Sequence, residues 1–404
     1  MNGKSVKLVQ GDSSKKEFET DATKLAEEFS IYPEINLIDL DAALGKGENL
    51  ELIEKICKIC NCNIGGGIRS IEKAYELLKL GANKIIIGTR AEKSFLSKLP
   101  KEKIIVAIDS RNGKITDKGW KNQREETPFE LVKNLSEYCS GFLYTCVEKE
   151  GTMEAVDFET IKKLRKLTDK KIMYAGGVSD SKEIIELEKL NTDCVIGMAY
   201  YKNKINLEES FVMLLNFEKN NGIIPTIVKD EYGQVLMLAY STKESVLEAL
   251  KTRKGMYYSR SRKKLWEKGE TLGNTQELIR VETDCDRDTL IYTVKQKNFA
   301  CHKGEYSCFS GKEFTMNSLM QIIRSKKGSG SFTGKIMEDE KYLNEKIMEE
   351  AMEVINFRDI ENLKWEIVDL LYFVSVKMEK YGLDYKDIEN ELATRHSRKS
   401  LSID

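Results

Sequence analysis

Short apolar segments alternate with amphipathic charged stretches throughout the first half of this chain of 404 residues. The segments INLIDLD, KIIIGT, KIIVAID, GFLYT and KIMYAGG are typical of buried strands, and stretches such as SIEKAYELLKL have helical spacing. Repeated alternation of strand and helix predicts a parallel sheet, either open or closed into a barrel. This pattern constrains the fold of residues 1–217 more than any other feature of the sequence.

The same region contains an internal echo. GGGIRS, a helix and IIIGTR recur roughly 110 residues later as AGGVSD, a helix and VIGMAY. The echo favours a closed barrel, and each half places a glycine turn after one strand and another after the next. Because such turns let backbone N–H groups approach a phosphate, we expect two phosphate sites at opposite sides of one barrel mouth. The alternative is that these glycines only form tight turns.

Two further segments follow the barrel pattern. Residues 220–312 contain strand-like runs such as IIPTIVKD and LIYTVKQ with one helix, TKESVLEALKTR, and predict a small α+β domain. Residues 315–404 are helical, with apolar residues at three- and four-residue spacings. The loop RSKKGSGSFTG is expected to be flexible or to contact phosphate. The predicted fold class is therefore multidomain, with a TIM-type α/β barrel, a small α+β domain and an all-α domain.

Composition excludes several classes of partner. The formal net charge is −1, which implies no bulk attraction to nucleic acid or to an anionic membrane. No apolar run approaches the roughly 18 residues of a membrane-spanning helix, and the first residues lack the apolar core of a signal peptide. Nine cysteines are an odd number. We therefore expect a cytoplasmic protein with free or metal-bound thiols.

The stretch TDCDRDTLIYTVKQKNFACHKGEYSC is the most specific chemical motif of the second segment. Alternate side chains of a strand share a face, so Asp284, Asp286 and Asp288 are expected to point one way and Cys285 the other. Three carboxylates on one face repel each other unless a hard cation such as Mg²⁺ lies between them. The alternative is a solvated acidic turn.

Three cysteines of this stretch predict a second metal. Cys285 could join Cys301 and Cys308, which would leave a zinc ion with one open position, as in catalytic sites. His302, next to a ligand cysteine, is then a candidate general base. Three buried cysteines without a metal are the alternative.

The helical segment contains two carboxylate pairs. Glu350 and Glu353 are three residues apart on one predicted helix, and Glu366 and Asp369 on the next. Two antiparallel helices would bring the four carboxylates together around divalent cations such as Mg²⁺. A solvated helix face is the alternative, but the apolar stretch KWEIVDLLYFVSV predicts that Asp369 faces the interior.

Residues 220–312 resemble phosphoribosyl-AMP cyclohydrolase, on the acidic and cysteine motifs and on YYSRSRKKLWEKGETLGNTQ. Leu272 stands where the family usually has Ser. The resemblance implies zinc and Mg²⁺, hydrolytic opening of the adenine ring, and a zinc site shared across a homodimer. The implied site residues are Arg260, Arg262, Lys268 and Asn274 for the substrate phosphate, Cys285, Cys301 and Cys308 for zinc, and Asp284, Asp286 and Asp288 for magnesium.

Residues 315–404 resemble phosphoribosyl-ATP pyrophosphohydrolase, on SFTGKI, KIMEEAMEV and EIVDLLYF. The resemblance implies an all-α fold and Mg²⁺-dependent release of pyrophosphate. Met348 replaces the usual Gly and Phe373 the usual His, neither of them a carboxylate position.

Residues 1–217 resemble the barrel isomerase that converts the aminoaldose ProFAR to the aminoketose PRFAR. The motifs that carry the resemblance are KLVQGD, NLIDLDAA, GGGIRS, IIIGT, VAID, KGW, LYTCVEKEGT, AGGVSD and VIGMA. Glu150 stands where the family has Asp. The resemblance implies catalytic roles for Asp109 and Thr145. It also implies phosphate contacts at Gly67, Gly88, Gly177 and Gly197.

The barrel departs from its family at the start. The family begins with a strand ending in A-I-D-L, whose aspartate is the second acid/base group, whereas this sequence begins M-N-G-K. We therefore expect a barrel without its first strand. Either Met1 is an internal methionine of a longer protein, or the barrel has lost its activity and persists as a scaffold.

Together the three resemblances describe consecutive steps on phosphoribosyl nucleotides in histidine biosynthesis. The alternatives are a bifunctional hydrolase with a non-catalytic barrel, and a metal-storage or regulatory nucleotide-binding protein. A homodimer formed through the cyclohydrolase domain is the expected assembly, with no nucleic-acid or membrane partner.

Overall fold

The structure is a computed structural model that describes residues 1, 3–9, 12–117, 119–120 and 122–400. Asn2 of the M-N-G-K start, Gln10 and Gly11 of KLVQGD and Lys118 of KGW lie outside the described residues. The chain divides into a larger unit that contains Met1–Phe309 and a smaller unit, Ser310–Arg395.

Parallel strands form the centre of the larger unit, as the alternating pattern predicted. An antiparallel hairpin, β1 (Lys4–Val9) and β2 (Asp12–Asp21), comes first. The sheet that follows consists of β3 (Ile35–Ile38), β4 (Cys62–Gly65), β5 (Lys84–Ile87), β6 (Ile104–Arg111), β7 (Lys114–Asp117), β8 (Asn122–Gln123), β9 (Gly141–Cys146), β10 (Lys171–Ala175) and β11 (Thr192–Cys194). Seven of these strands are parallel, in the order β11-β10-β9-β6-β5-β4-β3, and β7 and β8 extend β6 as an antiparallel excursion.

The parallel sheet is strongly curved. Strands β9, β6, β5 and β4 separate β3 from β10 in the sheet, yet the Asn36 amide on β3 lies 3.8 Å from the Met173 sulfur on β10. Lys171 at the start of β10 also forms an ion pair with Glu34, which immediately precedes β3. Within the described residues no strand joins β11 to β3. The sheet is therefore open between these two edges, as expected for a barrel without its first strand.

Helices cover the convex face of the sheet. Ser70 caps the helix after the first glycine turn by accepting from the Lys73 N–H at 3.1 Å, and Asp180 forms a capping box with Glu183 after the second. The helices are α1 (Ala22–Phe29), α2 (Leu40–Leu44), α3 (Leu50–Ile59), α4 (Ile71–Lys79), α5 (Lys93–Leu96), α6 (Pro128–Leu135), α7 (Phe158–Arg165), α8 (Ser181–Lys189), α9 (Met198–Tyr201) and α10 (Leu207–Met213).

A second sheet follows in the same unit, with strand order β13-β12-β17-β16 and a separate hairpin of β14 and β15. Its elements are β12 (Ile224–Asp230), β13 (Val235–Ser241), α11 (Lys243–Thr252), β14 (Met256–Ser259), β15 (Lys264–Glu267), β16 (Gln276–Thr283) and β17 (Leu290–Gln296).

The second sheet shares its hydrophobic core with residues of the barrel segment. Ile31, Val212, Leu215 and Phe217 belong to the same buried cluster as the apolar residues of β12, β13 and β17. The Val281 N–H also donates to the Ile31 carbonyl oxygen at 2.9 Å. The fold changes near residue 220, but the core continues across that point.

The smaller unit is helical, as predicted, and has its own core around Ile323, Ile336, Leu343 and Val376. The loop prediction for RSKKGSGSFTG is wrong at both ends, because Arg324 and Ser325 belong to a helix and Ser331 caps another helix that begins at Phe332. The helices are α12 (Met316–Ser325), α13 (Phe332–Glu338), α14 (Glu340–Ile355) and α15 (Ile360–Lys380), followed by α16 (Tyr385–Ser400). Over the described part of the chain, no helix has the length and apolar character needed to cross a lipid bilayer.

Candidate active sites

A cavity of about 440 Å³ lies at the mouth of the curved sheet. Asp109 of β6 and Thr145 of β9 line it near the ends of their strands, together with Gly67 and Gly88 of the first half. A smaller cavity of about 40 Å³ is lined by Gly177 and Gly197 of the second half. Both cavities are lined by Lys7, Glu150, Ala175 and Val195, so the glycine loops of the two halves lie next to each other at the mouth of the sheet.

The glycines of these loops serve two different purposes. Gly67 and Gly177 have positive φ, and a Cβ at either would come within 2.6 Å of a neighbouring residue, so packing alone requires glycine there. At Gly88 the nearest atom to an added Cβ is 3.6 Å away, and at Gly197 it is the Lys7 ammonium at 3.4 Å. The tight-turn explanation therefore accounts for Gly67 and Gly177, whereas close packing does not require glycine at Gly88 or Gly197.

Two carboxyl groups on the larger cavity have raised pKa values. Burial raises the pKa of Asp109, although hydrogen bonds from Trp120 and Thr145 act in the opposite direction. Burial also raises the pKa of Glu150. The Lys7 ammonium lowers this pKa, and the Asp109 carboxylate raises it further.

The other carboxylates of this cavity are engaged in structural contacts. Asp39 caps α2 and accepts from the Asn49 amide at 2.8 Å, and Asp117 binds Arg124 at 2.8 Å. Sequence reasoning did not select Lys7 as a site residue. The fold places the Lys7 ammonium beside Gly197 and 5.4 Å from the centroid of the Tyr201 ring.

In the second sheet, the three aspartates do not lie on a strand as predicted. β16 ends at Thr283, and residues 284–288 form a turn in which Arg287 has a φ of 60°. The turn nevertheless gathers Asp284, Asp286 and Asp288, because oxygen atoms of all three carboxylates lie within 4.8 Å of one another. The Asp284 carboxylate also accepts from the backbone N–H groups of residues 288 and 289, both at 3.1 Å, which fixes the turn.

A lysine occupies the centre of this acidic turn. Lys219 pairs with Asp286 and, at 2.5 Å, with Asp288. Hydrogen bonds to these two carboxylates raise the pKa of Lys219, and the same contact lowers the pKa of Asp288. The turn therefore already holds a cation in this structure.

The predicted zinc ligands fall into two groups. Cys301 and Cys308 are neighbours, and burial followed by the nearby Cys301 raises the pKa of Cys308. Cys285 is exposed on the acidic turn, and the three thiols do not form a cluster within 4.8 Å in the described part of the chain. One chain thus brings two of the three together. His302 is exposed beside them.

The predicted phosphate ligands are spread over the β14–β15 hairpin and the loop that follows. The exposed Arg260 guanidinium lies 3.7 Å from the Tyr240 ring centroid, and Arg262 lies over Trp266 at 5.7 Å. Asn274 accepts from the Asn298 amide at 3.1 Å. Lys268 differs from them because it is buried next to Cys301 and Cys308, and desolvation lowers its pKa.

The loop between Cys301 and Cys308 is fixed against the β12–β13 hairpin. The Tyr306 hydroxyl donates to the buried Asp230 carboxylate at 2.9 Å. The Cys308 N–H donates to the Leu236 carbonyl oxygen at 2.7 Å. Tyr306 was not among the predicted site residues, because its role depends on this contact across the fold.

In the helical unit, α14 and α15 bring the predicted carboxylates together. Oxygen atoms of Glu350, Glu366 and Asp369 lie within 4.8 Å of one another, and Glu353 shares a hydrogen bond with Glu366. Burial and then Asp369 raise the pKa of Glu350, and Glu366 raises that of Glu353. The prediction that Asp369 faces the interior is wrong. Asp369 is exposed, and so are its apolar neighbours Trp365 and Val368.

The raised pKa of Glu353 predicts how stability depends on pH without divalent cations. Protonated Glu353 contributes stability below the ordinary glutamate pKa of about 4.3, and this contribution is lost as pH rises through the raised value. Glu353→Gln in EDTA should therefore match the wild type near pH 4 and unfold at a higher temperature near about pH 7. Thermal unfolding of both chains measures this, with Glu345→Gln on the exposed side of α14 as control. A constant difference across the pH range would contradict it.

The larger unit contains a curved parallel sheet whose glycine loops line two adjoining cavities, and a small sheet with an acidic turn and paired thiols. The smaller unit is helical and carries a group of carboxylates. Together these features define a multidomain enzyme with a TIM-like barrel. Residues 1–206 match the family model described as histidine biosynthesis protein, and the chain belongs to this family. Residues 237–310 match phosphoribosyl-AMP cyclohydrolase, and residues 315–396 match phosphoribosyl-ATP pyrophosphohydrolase.

Individual relatives agree with this assignment. A phosphoribosyl imidazole-4-carboxamide isomerase of Methanocaldococcus jannaschii is 37% identical over 227 residues, which are 53% of this chain and 95% of the relative. The histidine biosynthesis bifunctional protein of Pyrococcus furiosus is 37% identical over 204 residues, 46% of this chain and 98% of the relative. A histidine biosynthesis trifunctional protein of Saccharomyces bayanus is 32% identical over 229 residues, 56% of this chain but 28% of that relative. The chain is thus a cyclohydrolase and pyrophosphohydrolase of histidine biosynthesis that also carries an isomerase-like barrel.

Proposed function

We propose that this chain catalyses three successive steps. It releases pyrophosphate from phosphoribosyl-ATP, opens the adenine ring of phosphoribosyl-AMP to give ProFAR, and isomerises ProFAR to PRFAR. The observation that supports the third step is the cavity at the barrel mouth, where two carboxyl groups of raised pKa lie between two glycine loops. A non-catalytic scaffold has no need for buried carboxyl groups at that place.

In the barrel, Asp109 and Glu150 are the proposed proton-transfer groups. Opening the aminoaldose ring needs a proton on the ring oxygen, and forming the ketose needs removal of the proton on the neighbouring carbon. Because Asp109 raises the pKa of Glu150, the state with one group protonated and the other ionised is favoured, which supplies an acid and a base together. Thr145 and Trp120 hold Asp109, and Lys7 with Gly197 provides for a phosphate at the second glycine loop.

The metal assignments rest on the chemistry of the donor sets. The pairing of Lys219 with Asp286 and Asp288 supports a cation site at the acidic turn, and oxygen ligands suit Mg²⁺. The crowded carboxylates of α14 and α15, with raised pKa values, would be relieved by Mg²⁺ in the same way. Magnesium bound there would neutralise charge on the departing pyrophosphate.

Cys301 and Cys308 provide two thiols of a zinc site, and we propose that Cys285 of a second subunit supplies the third. A zinc ion held by these three thiols would lower the pKa of a bound water molecule to near neutrality. His302 is exposed next to Cys301, and its proposed role is to take a proton from water as the ring is attacked. Arg260 and Arg262 lie exposed on the neighbouring hairpin, where they can bind the substrate phosphate.

Incubation of the chain with phosphoribosyl-ATP, Mg²⁺ and Zn²⁺ tests this function, with products separated by chromatography against standards because ProFAR and PRFAR are isomers. Wild type should yield PRFAR, Asp109→Asn should accumulate ProFAR, and Asp169→Asn on the exposed barrel surface should behave as wild type. ProFAR from the wild type would exclude isomerisation and leave the two hydrolytic steps. Unconverted phosphoribosyl-ATP or phosphoribosyl-AMP would overturn the corresponding hydrolytic step.

Tyr306→Phe tests the support of the thiol loop. Loss of the hydrogen bond to Asp230 should weaken zinc binding by about tenfold, the scale for groups that orient metal ligands. Competition with a chromophoric chelator measures this affinity, and the unfolding temperature of the metal-free variant checks that the fold persists. Unchanged zinc affinity would show that the loop is held without this contact.

A further inference from the structure

The connection between the barrel and the second sheet reaches into the acidic turn. Lys219 lies between the residues matched by the first and second family models, which end at 206 and begin at 237. Its ammonium nevertheless contacts two carboxylates of the turn, Asp286 and Asp288. The connection thus places a positive charge where the proposed function places a magnesium ion.

Residues on both sides of Lys219 attach the connection to the acidic turn. The Asn216 N–H donates to the Arg287 carbonyl oxygen at 2.8 Å, and the Asn220 amide approaches the Asp288 carbonyl oxygen at 3.4 Å. These contacts flank Lys219 on both sides. The connection is therefore attached to the turn independently of the lysine side chain.

We propose that Lys219 is a built-in counter-ion of the acidic turn that competes with the divalent cation, and so sets the cation concentration at which the cyclohydrolase domain is loaded. This inference rests on the proposed magnesium role of Asp284, Asp286 and Asp288. An ammonium neutralises one of the three negative charges of the turn and a divalent cation neutralises two, so Mg²⁺ can displace the lysine. Displacement costs the two lysine contacts, which lowers the apparent affinity for Mg²⁺.

The expected size of the effect follows from exposure. The side chains of Lys219 and Asp286 are 51% and 52% exposed, so their contact is weakened by solvent. Exposed ion pairs of this kind change an equilibrium by about twofold to threefold each. The Asp288 side chain is only 14% exposed, which places its contact at the upper end, so the two contacts together predict a change of about tenfold at most. Lys219→Met should therefore bind Mg²⁺ about threefold to tenfold more tightly than the wild type.

Mg²⁺ titration calorimetry on the full chain tests this inference. A Glu350→Gln, Asp369→Asn background silences the site on α14 and α15, so that the acidic turn dominates binding. Lys229→Met is the matched control, because Lys229 also pairs with a carboxylate of the second sheet, Glu282 at 3.4 Å, but not with the turn. Lys219→Met should tighten binding and Lys229→Met should leave it unchanged.

A second measurement separates competition from a fold defect. In EDTA, Lys219→Met should unfold at a lower temperature than Lys229→Met, since Asp286 and Asp288 lose the ammonium that pairs with them, and saturating Mg²⁺ should remove this difference. Equal or weaker Mg²⁺ binding by Lys219→Met would overturn the inference while the magnesium site itself stands. If Asp286→Asn with Asp288→Asn does not weaken Mg²⁺ binding, the magnesium assignment fails and the inference fails with it.

Discussion

Mixing Cys285→Ser chains with Cys301→Ser chains should restore about a quarter of the wild-type cyclohydrolase activity, although each variant alone should be at least about 100-fold below wild type. The reason is the separation of the thiols within one chain. Cys301 and Cys308 are neighbours, whereas Cys285 lies on the acidic turn and does not complete a cluster with them. If a two-fold dimer brings Cys285 of one subunit to Cys301 and Cys308 of the other, each heterodimer has one intact site of two.

Random exchange of equal amounts gives heterodimers as about half of all dimers, which yields the expected quarter. The assay is ring opening of phosphoribosyl-AMP after denaturation and joint refolding with zinc, alongside zinc content. Cys194→Ser, in the barrel, should retain activity alone and shows that loss of a thiol as such is harmless. Absence of recovery in the mixture, with both variants folded, would show that each site is completed within a single chain.

Asp369→Asn should lower the rate of pyrophosphate release by about 10²–10³-fold, the scale for losing one charge from a preorganised electrostatic site. Asp369 is exposed, as is Glu353, so it would reach a substrate-bound cation from the solvent side, while the buried Glu350 would hold it from the interior. The substitution also removes a repulsive charge, since Asp369 raises the pKa of Glu350. The metal-free variant should therefore be at least as stable as the wild type.

The measurement is pyrophosphate release from phosphoribosyl-ATP over a range of Mg²⁺ concentrations. Glu361→Gln, on the same helix but paired with Lys364 at the surface, should have wild-type activity. Ring opening of added phosphoribosyl-AMP by Asp369→Asn should also be unchanged, which provides a control within the same molecule. Loss of both activities would point to unfolding, and retention of both would remove Asp369 from the site.

The repeating patterns of the sequence predicted the fold well, because strand and helix periodicity reflects burial that is decided locally. The parallel sheet, the second sheet and the helical pair of α14 and α15 all follow from such patterns. Aspartates at alternate positions 284, 286 and 288 imitate the pattern of a strand, so the sequence predicts a strand where the structure has a turn. The turn forms because Arg287 has a left-handed backbone conformation and the Asp284 carboxylate accepts a hydrogen bond from the Asp288 N–H. The apolar context of Asp369 likewise predicted burial that its exposed neighbours do not share.

Contacts between distant segments could not be predicted from the sequence. Lys7, Tyr306 and Lys219 are ordinary polar residues in their local context, and each acquires its role from a partner brought near by the fold. The same limit applies to Cys285, whose spacing from Cys301 does not say whether the two meet in one chain.

The continuous core between the barrel segment and the second sheet bears on how the protein is made. Ile31 and the residues around Val212–Phe217 leave the ribosome before the strands they help to bury. The nascent cyclohydrolase sheet therefore emerges beside a surface that is already in place, and it completes its interior on that surface. Residues 220–312 synthesised alone would lack this template, whereas the helical unit, with a core of its own, would not.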